Sequence, residues 1–281
     1  MRRVGCSLAL LALSLAGVRA QVTVEVVQDQ DQFLPGETVR TAVRVTNLSG
    51  QTLKLGEEDD WLKFWVESGD GLMVAKVGET PVKGEFEVGS SEVATKRVDL
   101  LPYFALSKPG RYSVSATVRI KQWDREISSQ PRTFFLIDGA KLWEQEFGVP
   151  NASGPTNAAP EVRKYILQQA NYIKGQLRLY LRLTDGAGKP IRVFAIGGMV
   201  SFSRPEPHVD KFSNLHVLYA NGARSYGYTV MNPDGDILIR QTYDYLGSRP
   251  RLKEDAKGVF SVVGGARRVT AEDVPVLKGP E

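Results

Sequence analysis

The sequence predicts an all-β chain, a sandwich followed by a second antiparallel β-domain. Three observations carry that prediction. Apolar residues recur at every second position in many short runs, the period of a half-buried strand. Pairs such as Pro-Gly and Asn-Gly punctuate the runs at the spacing of a sandwich. A stretch rich in Gly, Pro, Asn and Ser between 139 and 160 parts the runs into two groups.

Residues 1–20 read as an export leader. Arg2 and Arg3 are followed by an apolar run from Leu8 to Ala16, then by Val18-Arg19-Ala20 with small residues at −3 and −1. The run is too short to span a bilayer as a resident helix. The only cysteine, Cys6, lies inside this leader and ahead of its apolar run, so the processed chain is expected to hold no disulfide. A disulfide-free exported chain of this length can still bury an adequate core. The expected location is periplasmic or secreted, in a bacterial setting.

Past the leader, Val22, Val24 and Val26 alternate with polar residues, and Pro35-Gly36 turns the chain. Val39, Val43 and Val45 form a second extended run that ends at Asn47-Leu48-Ser49-Gly50. Leu62, Phe64 and Val66 alternate up to the turn at Gly69-Asp70-Gly71, and Val93 to Leu100 is a further extended segment. Pro109-Gly110 then leads into Tyr112, Val114, Ala116, Val118 and Ile120, a long strict alternation. Phe134 to Ile137 closes the set over 21–139.

Two of these stretches carry a resemblance. Pro35-Gly36-Glu37-Thr38-Val39, continuing to Val43, Val45 and Asn47, resembles the early strands of bacterial immunoglobulin-like modules. Pro109-Gly110-Arg111-Tyr112-Ser113-Val114-Ser115-Ala116 resembles their late strand pair. The resemblance covers about residues 21–138 and implies an immunoglobulin-like sandwich with an accessory or binding role. In such modules the tyrosine packs beneath the preceding corner. The cysteine pair of antibody domains is absent, and the resemblance carries no site across.

Residues 140–160 have a linker composition, with Trp143 and Phe147 spaced to form one docking helical turn. The second domain, 161–270, is again extended. Leu177, Leu179, Leu181 and Leu183 alternate with Arg178, Tyr180 and Arg182, and Ile191, Val193 and Ala195 alternate up to Gly197-Gly198. Asn221-Gly222 is a two-residue hairpin signal. It would pair Tyr219 with Arg224, Val217 with Tyr226 and His216 with Gly227. After the turn at Asn232-Pro233-Asp234-Gly235, either Tyr228 or Gly227 would face Arg240, depending on a bulge. Gly258 to Val263 is one more strand, and 271–281 is expected to be a flexible tail.

Charge divides unevenly. The whole chain carries 36 basic and 32 acidic residues, and three of the arginines belong to the leader. Residues 21–150 have a net charge of −5 and 151–281 a net charge of +6. Opposite signs suit either packing of the halves on one another or an acidic polymer on the second.

Chemistry-bearing groups are sparse. Glu206, His208 and Asp210 alternate and would share one face, but the intervening prolines and the lack of a spaced histidine pair favour a solvated loop over a metal site. In the expected hairpin register His216, Gly227 and Arg240 (or Gln241) share a sheet face lined by Ser225 and Thr229, where the missing side chain leaves a trough for a ligand. No nucleophile elbow and no cysteine outside the leader support covalent catalysis. The acidic run Glu57-Glu58-Asp59-Asp60 lacks the spacing of a calcium loop. Trp61 and Trp65, four apart in a strand, would project to one face where exposed indoles could stack sugar rings; core packing is the commoner fate. Tyr226, Tyr228, Tyr243 and Tyr245 read as packing residues. These features predict a non-catalytic accessory or binding protein with an envelope or extracellular protein or polysaccharide as partner. No cofactor, metal, nucleic acid or transmembrane span is expected. The alternatives are a carbohydrate-binding protein using Trp61 and Trp65, and a hydrolase with its site in the second half.

Overall fold

A computed structural model describes residues 22–149, 161–172 and 175–275. The leader expected over 1–20 lies outside them. The described residues are almost entirely strands, with one 3-10 turn at Lys121–Trp123. No helix among them is long and apolar enough to cross a membrane.

The first unit holds ten strands. They are β1 (Val22–Gln28), β2 (Gln32–Phe33), β3 (Arg40–Asn47), β4 (Leu53–Leu55) and β5 (Leu62–Ser68). β6 (Phe86–Val88), β7 (Val93–Asp99), β8 (Gly110–Ile120), β9 (Arg125–Ser128) and β10 (Arg132–Leu136) complete it. One sheet runs β1-β3-β7 and the other β2-β10-β8-β5, with β9 on β8 and β4 paired to β6. Pairing is antiparallel except between β2 and β10. The sequence alternation decides which side is wet. Tyr112, Val114, Ala116, Val118 and Ile120 of β8 are buried while their neighbours are not. They share one core with Val22, Val24, Val43 and Val45 of the facing sheet.

Asn47 fastens one end of this unit. Its Nδ2 donates to the carbonyls of Gln51 (2.7 Å) and Val88 (2.9 Å), and its Oδ1 accepts from the Ser49 N–H (3.0 Å). The residue is fully buried, so the turn signal at 47–50 is also a clamp on the 88–89 segment.

Eleven strands form the second unit. The first sheet runs β11 (Ala140–Val149), β12 (Glu161–Tyr172), β13 (Gln176–Asp185) and β14 (Pro190–Gly198). The second orders β15 (Glu206–Val209), β16 (Leu215–Ala220), β17 (Ser225–Met231), β18 (Ile237–Asp244) and β21 (Ala266–Arg268). A hairpin of β19 (Arg251–Glu254) and β20 (Phe260–Val263) stands apart. Tyr165, Leu167, Leu179, Leu181 and Leu183 of the first sheet meet Leu215, Val217, Tyr219 and Met231 of the second in one core.

Both outer faces of that pair of sheets are covered. The β19–β20 hairpin brings Leu252 and Val262 onto Leu218, Tyr228 and Val230. All six residues of β16 are therefore buried, although a half-buried strand shows only alternate burial. On the opposite side Leu34, fully buried, inserts from the first unit among Ala170, Tyr180 and Val193. The Pro35-Gly36 turn presses there too, with Gly36 at φ 86° and a Cβ at that position 3.2 Å from Val193. Arg182 donates to the Pro35 carbonyl (2.7 Å) and to Gln168 Oε1 (2.9 Å). Glu37 accepts from the Leu34 N–H (2.8 Å) and from Gln30 Nε2 (2.9 Å). Burial raises its pKa, against those two bonds and the field of Arg178.

Several expectations change. Residues 140–149 form an edge strand rather than a linker or a helical turn. Backbone pairing with β12 along its length outweighs its composition. Phe147 stacks on Tyr165 at 4.1 Å between ring centroids, which needs an extended backbone there. Residues 150–160 lie outside the described set. Of the expected tail, two residues are held: Asp273 is buried against Arg267 and Thr270, and Val274 bridges to Arg240.

The hairpin register also differs. His216 pairs with Val230 and Gly227 with Tyr219, three residues from the expected match. Gly222 does not take the positive φ that a two-residue type I′ turn requires, and Asn221 and Gly222 both donate to the Ser225 carbonyl across a longer loop. On the next pairing Arg240 faces Thr229, neither of the alternatives expected, with an irregularity between Val230 and Met231.

Replacing Asn47 with Ala removes the amide donor shared by the Gln51, Val88 and Gly89 carbonyls and the acceptor of the Ser49 N–H. The expected loss is about 2 kcal/mol or more of unfolding free energy in a urea titration, with the slope unchanged.

Candidate functional site

The three residues expected to line one trough are divided between two faces. Because the register moves by an odd number, every β17 side chain changes sides. Gly227 and Arg240 share the inner face with Tyr219 and Thr229, while His216 lies on the hairpin side with Tyr228 and Val230.

Gly227 serves a packing role. The Tyr219 ring lies against it, and a Cβ there would stand 2.7 Å from Tyr219 Cζ; a Cβ at Gly197 would collide with the Tyr219 hydroxyl. Two glycines thus form a slot for one buried tyrosine, whose phenol burial pushes up to about 12. The space the sequence offers for a ligand is filled by the protein itself. Arg240, on the same face, buries its Nε without a partner among the described residues.

His216 sits at the centre of a buried polar chain. Its Nε2 is 3.2 Å from Asp210 Oδ2 and its Nδ1 is 2.8 Å from the Tyr228 hydroxyl. With the carboxylate accepting from Nε2–H, a neutral ring accepts the Tyr228 O–H at Nδ1. Asp210 also accepts from the Phe212 N–H (2.9 Å), the Asn214 N–H (2.8 Å) and Asn214 Nδ2 (3.0 Å). Burial pushes its carboxyl up, but these bonds and His216 outweigh it and hold the pKa below the usual value. Burial pushes the Tyr228 phenol up. His208 pairs directly across from His216, and both rings contact Phe260 of β20, at 5.0 and 5.1 Å.

Glu206, His208 and Asp210 do share a face, as alternation dictates, and all three are engaged in holding the hairpin and the 210–214 turn. Glu206 accepts from the Leu252 N–H (3.3 Å). No group of three or more metal-capable side chains converges among the described residues. Asp210 and Phe260 complete the His216 cluster, and sequence spacing could not find Phe260 because it arrives from a separate hairpin.

The tryptophans separate as well. Trp61 lies ahead of β5, is 2% exposed, and donates from Nε1 to the Val82 carbonyl (2.8 Å) while meeting Phe86 edge-on. Trp65, on the outer face of β5, is 49% exposed. It borders a groove of about 830 Å³ between the β5 edge and segment 76–83. Lys63, Lys76, Glu79 and Thr80 stand around it. Local pairs balance the charge: Lys63 with Asp60 at 3.0 Å, and Lys83 with Asp59 at 2.9 Å. The acidic run is likewise engaged by cations, Glu57 and Glu58 lying 3.3 and 3.4 Å from Lys121. The 72–83 side of the groove has no alternation to read, so the sequence could not place it beside Trp65.

No protein-family model matches this chain, and no curated protein does. Among solved structures, the sporulation control protein Spo0M of Bacillus subtilis is similar at 10% identity and a TM-score of 0.31. The match covers 63% of this chain and 90% of that one. A likeness at that score carries neither fold nor function across.

Two outcomes are expected from this geometry. Gly227→Ala should destabilise the fold by about 1–3 kcal/mol, and a Tyr219→Leu background should relieve most of that loss in a double-mutant cycle. Asp210, with its pKa depressed in the fold, contributes stability above the unfolded carboxylate value and loses it as pH falls through the folded value. Thermal melts of Asp210→Asn should therefore show a lower Tm at neutral pH and a shallower decline on acidification than the parent.

Proposed function

We propose that this chain is an exported, non-catalytic binding protein, periplasmic or secreted, that holds a saccharide chain on Trp65. The observation that carries the reading is the half-exposed indole bordering a groove ringed by hydrogen-bonding side chains. An indole face packs against the C–H face of a sugar ring, while surrounding ammonium, carboxylate and hydroxyl groups meet its hydroxyls. Of the tryptophan pair singled out by spacing, only Trp65 is available for this. Trp61 supports the wall behind it.

The immunoglobulin-like reading of the first unit draws support from Tyr112. Its hydroxyl donates to the Lys108 carbonyl (2.7 Å), four residues upstream at the corner before β8, and its ring stacks on Phe134. Such a tyrosine corner recurs in these sandwiches. The non-catalytic reading draws support from the His216 cluster, whose polar atoms are bonded to one another beneath the β19–β20 hairpin.

Affinity electrophoresis in gels cast with neutral and acidic polysaccharides tests the proposal. Trp65→Ala should weaken retention at least tenfold, about 1.4 kcal/mol, with an unchanged melting temperature. Trp61→Ala should instead destabilise the fold, by about 3–5 kcal/mol. Retention unaltered in Trp65→Ala, or absent in the parent on every matrix, would overturn the reading.

A further inference from the structure

We infer that the groove beside Trp65 takes a 1,4-linked pyranose chain, whose neighbouring ring hydroxyls bond to open main-chain groups of β5; this rests on the saccharide reading of that groove. β5 is the edge strand of its sheet, and β8 is its ladder partner. Successive residues of such a strand turn their peptide groups toward the partner and away from it. Hydrogen bonds across β8 fix which set points outward. Phe64 pairs with Ala116, and Ala116 spends both its main-chain groups on the far side of β8. Its N–H donates to Ser129 Oγ (3.0 Å) and its carbonyl accepts from the Ser129 N–H (2.8 Å). A pair of that kind exchanges no bonds, so the Phe64 N–H and C=O face away from β8, as do those of Leu62 two residues earlier. Val66 and Ser68 continue the same set. The Val66 carbonyl accepts from the Val74 N–H (2.8 Å), and the Ser68 N–H donates to the Leu72 carbonyl (2.9 Å).

Segment 72–74 thus covers one end of the edge and then leaves it. The Ala75 carbonyl accepts from the Ala105 N–H (3.0 Å) and the Val77 N–H donates to the Tyr103 carbonyl (2.9 Å), which carries the chain away to 103–105. The other end of the edge is closed by a turn in which the Trp61 N–H donates to the Glu58 carbonyl (3.3 Å). Leu62 and Phe64 lie between these two closures, and both border the groove. Their side chains are buried in the core of the first unit, so it is their main chain that lines the groove. Among the described residues, nothing bonds to these outward N–H and C=O groups.

The chemistry of the edge narrows the ligand class. An extended residue presents its N–H and C=O side by side along one edge. Two hydroxyls on neighbouring ring carbons form the matching pair, because each both donates and accepts. One accepts from the Phe64 N–H and the other donates to the Phe64 carbonyl, while a C–H face of the sugar lies on the adjoining Trp65 indole. Leu62 repeats the same pair of groups about 7 Å along the edge, the scale of the next sugar unit. Linkage then decides which chains fit. A 1,4-linked pyranose keeps free hydroxyls on the adjacent second and third carbons of every ring. A 1,3-linked chain keeps no adjacent pair on its inner rings, since the third carbon carries the linkage. An added peptide strand fits less well. It needs a longer row of main-chain groups than two residues closed off by a turn and by segment 72–74.

Two measurements on the purified protein test this. Affinity electrophoresis in gels cast with glucomannan, amylose or laminarin compares the linkages, and amide hydrogen exchange followed by NMR reads the edge itself. Retention on at least one of the two 1,4-linked polymers should exceed that on 1,3-linked laminarin tenfold or more, and Trp65→Ala should abolish the excess. In the free protein the Leu62 and Phe64 amides should exchange faster than those of Lys63 and Trp65, which face β8. Saturating cellohexaose or maltohexaose should slow exchange at Phe64 at least tenfold, and should not do so in Trp65→Ala. Trp65-dependent retention that is equal on laminarin, or that leaves Phe64 exchange unchanged, would overturn this inference while the saccharide reading stands. Retention on no matrix would overturn both. Slowing of Phe64 exchange by an extended peptide and by neither oligosaccharide would overturn it in favour of strand addition.

Discussion

Leu34 is the residue on which the arrangement of this molecule turns. A leucine at the tip of a strand-connecting turn would ordinarily sit in water, but here it is fully buried among Ala170, Tyr180 and Val193 of a different unit. Apolar surface at that tip is removed from water only if the turn docks. The polar groups beside it must then be satisfied in place. Glu37 meets the Leu34 N–H and Arg182 meets the Pro35 carbonyl, so the docked turn leaves neither backbone group stranded. A Cβ at Gly139 would stand 3.2 Å from both Leu34 and Gln168, which places the crossing at 138–140 against the docked turn.

The second unit is layered more deeply than two sheets. With the first unit against one outer face and the β19–β20 hairpin against the other, its strands are enclosed from both sides. Burial of that kind demands a partner for every polar side chain in the layer. Asp210, His216 and Tyr228 answer the demand by bonding to one another, and two histidine rings support Phe260. A cluster of this composition has the ingredients of a catalytic relay. Its bonds are spent inward, under a hairpin, which is why binding rather than catalysis is the function proposed.

An available side chain lies elsewhere, at the exposed Trp65 indole over a groove. That place combines an apolar ring with groups that donate and accept hydrogen bonds, and it lies on the edge strand of its sheet. That is a general consequence of strand architecture. The ladder consumes backbone groups and the core consumes every second side chain, so edges and strand ends are left to meet a ligand.

Strand by strand, the two-residue period in the amino-acid order was enough to mark β1, β3, β5, β8 and β13 and to say which residues of the first unit turn inward, because pleating is a local property of the backbone. The Pro35-Gly36 and Asn232–Gly235 turns were equally plain, since glycine at positive φ is a local requirement. Composition misjudged β11, where pairing with a distant strand overrode a linker-like stretch. Register was decided by the fold: the Tyr219 ring needs Gly197 and Gly227 on either side, and that long-range fit outweighed a favourable Asn-Gly turn. His216, Gly227 and Arg240 were separated for the same reason. Trp61 and Trp65 parted because one precedes the strand and the other lies on its outer face. Local order fixes which residues alternate, whereas contact between segments far apart in the chain decides which face is left open to a ligand.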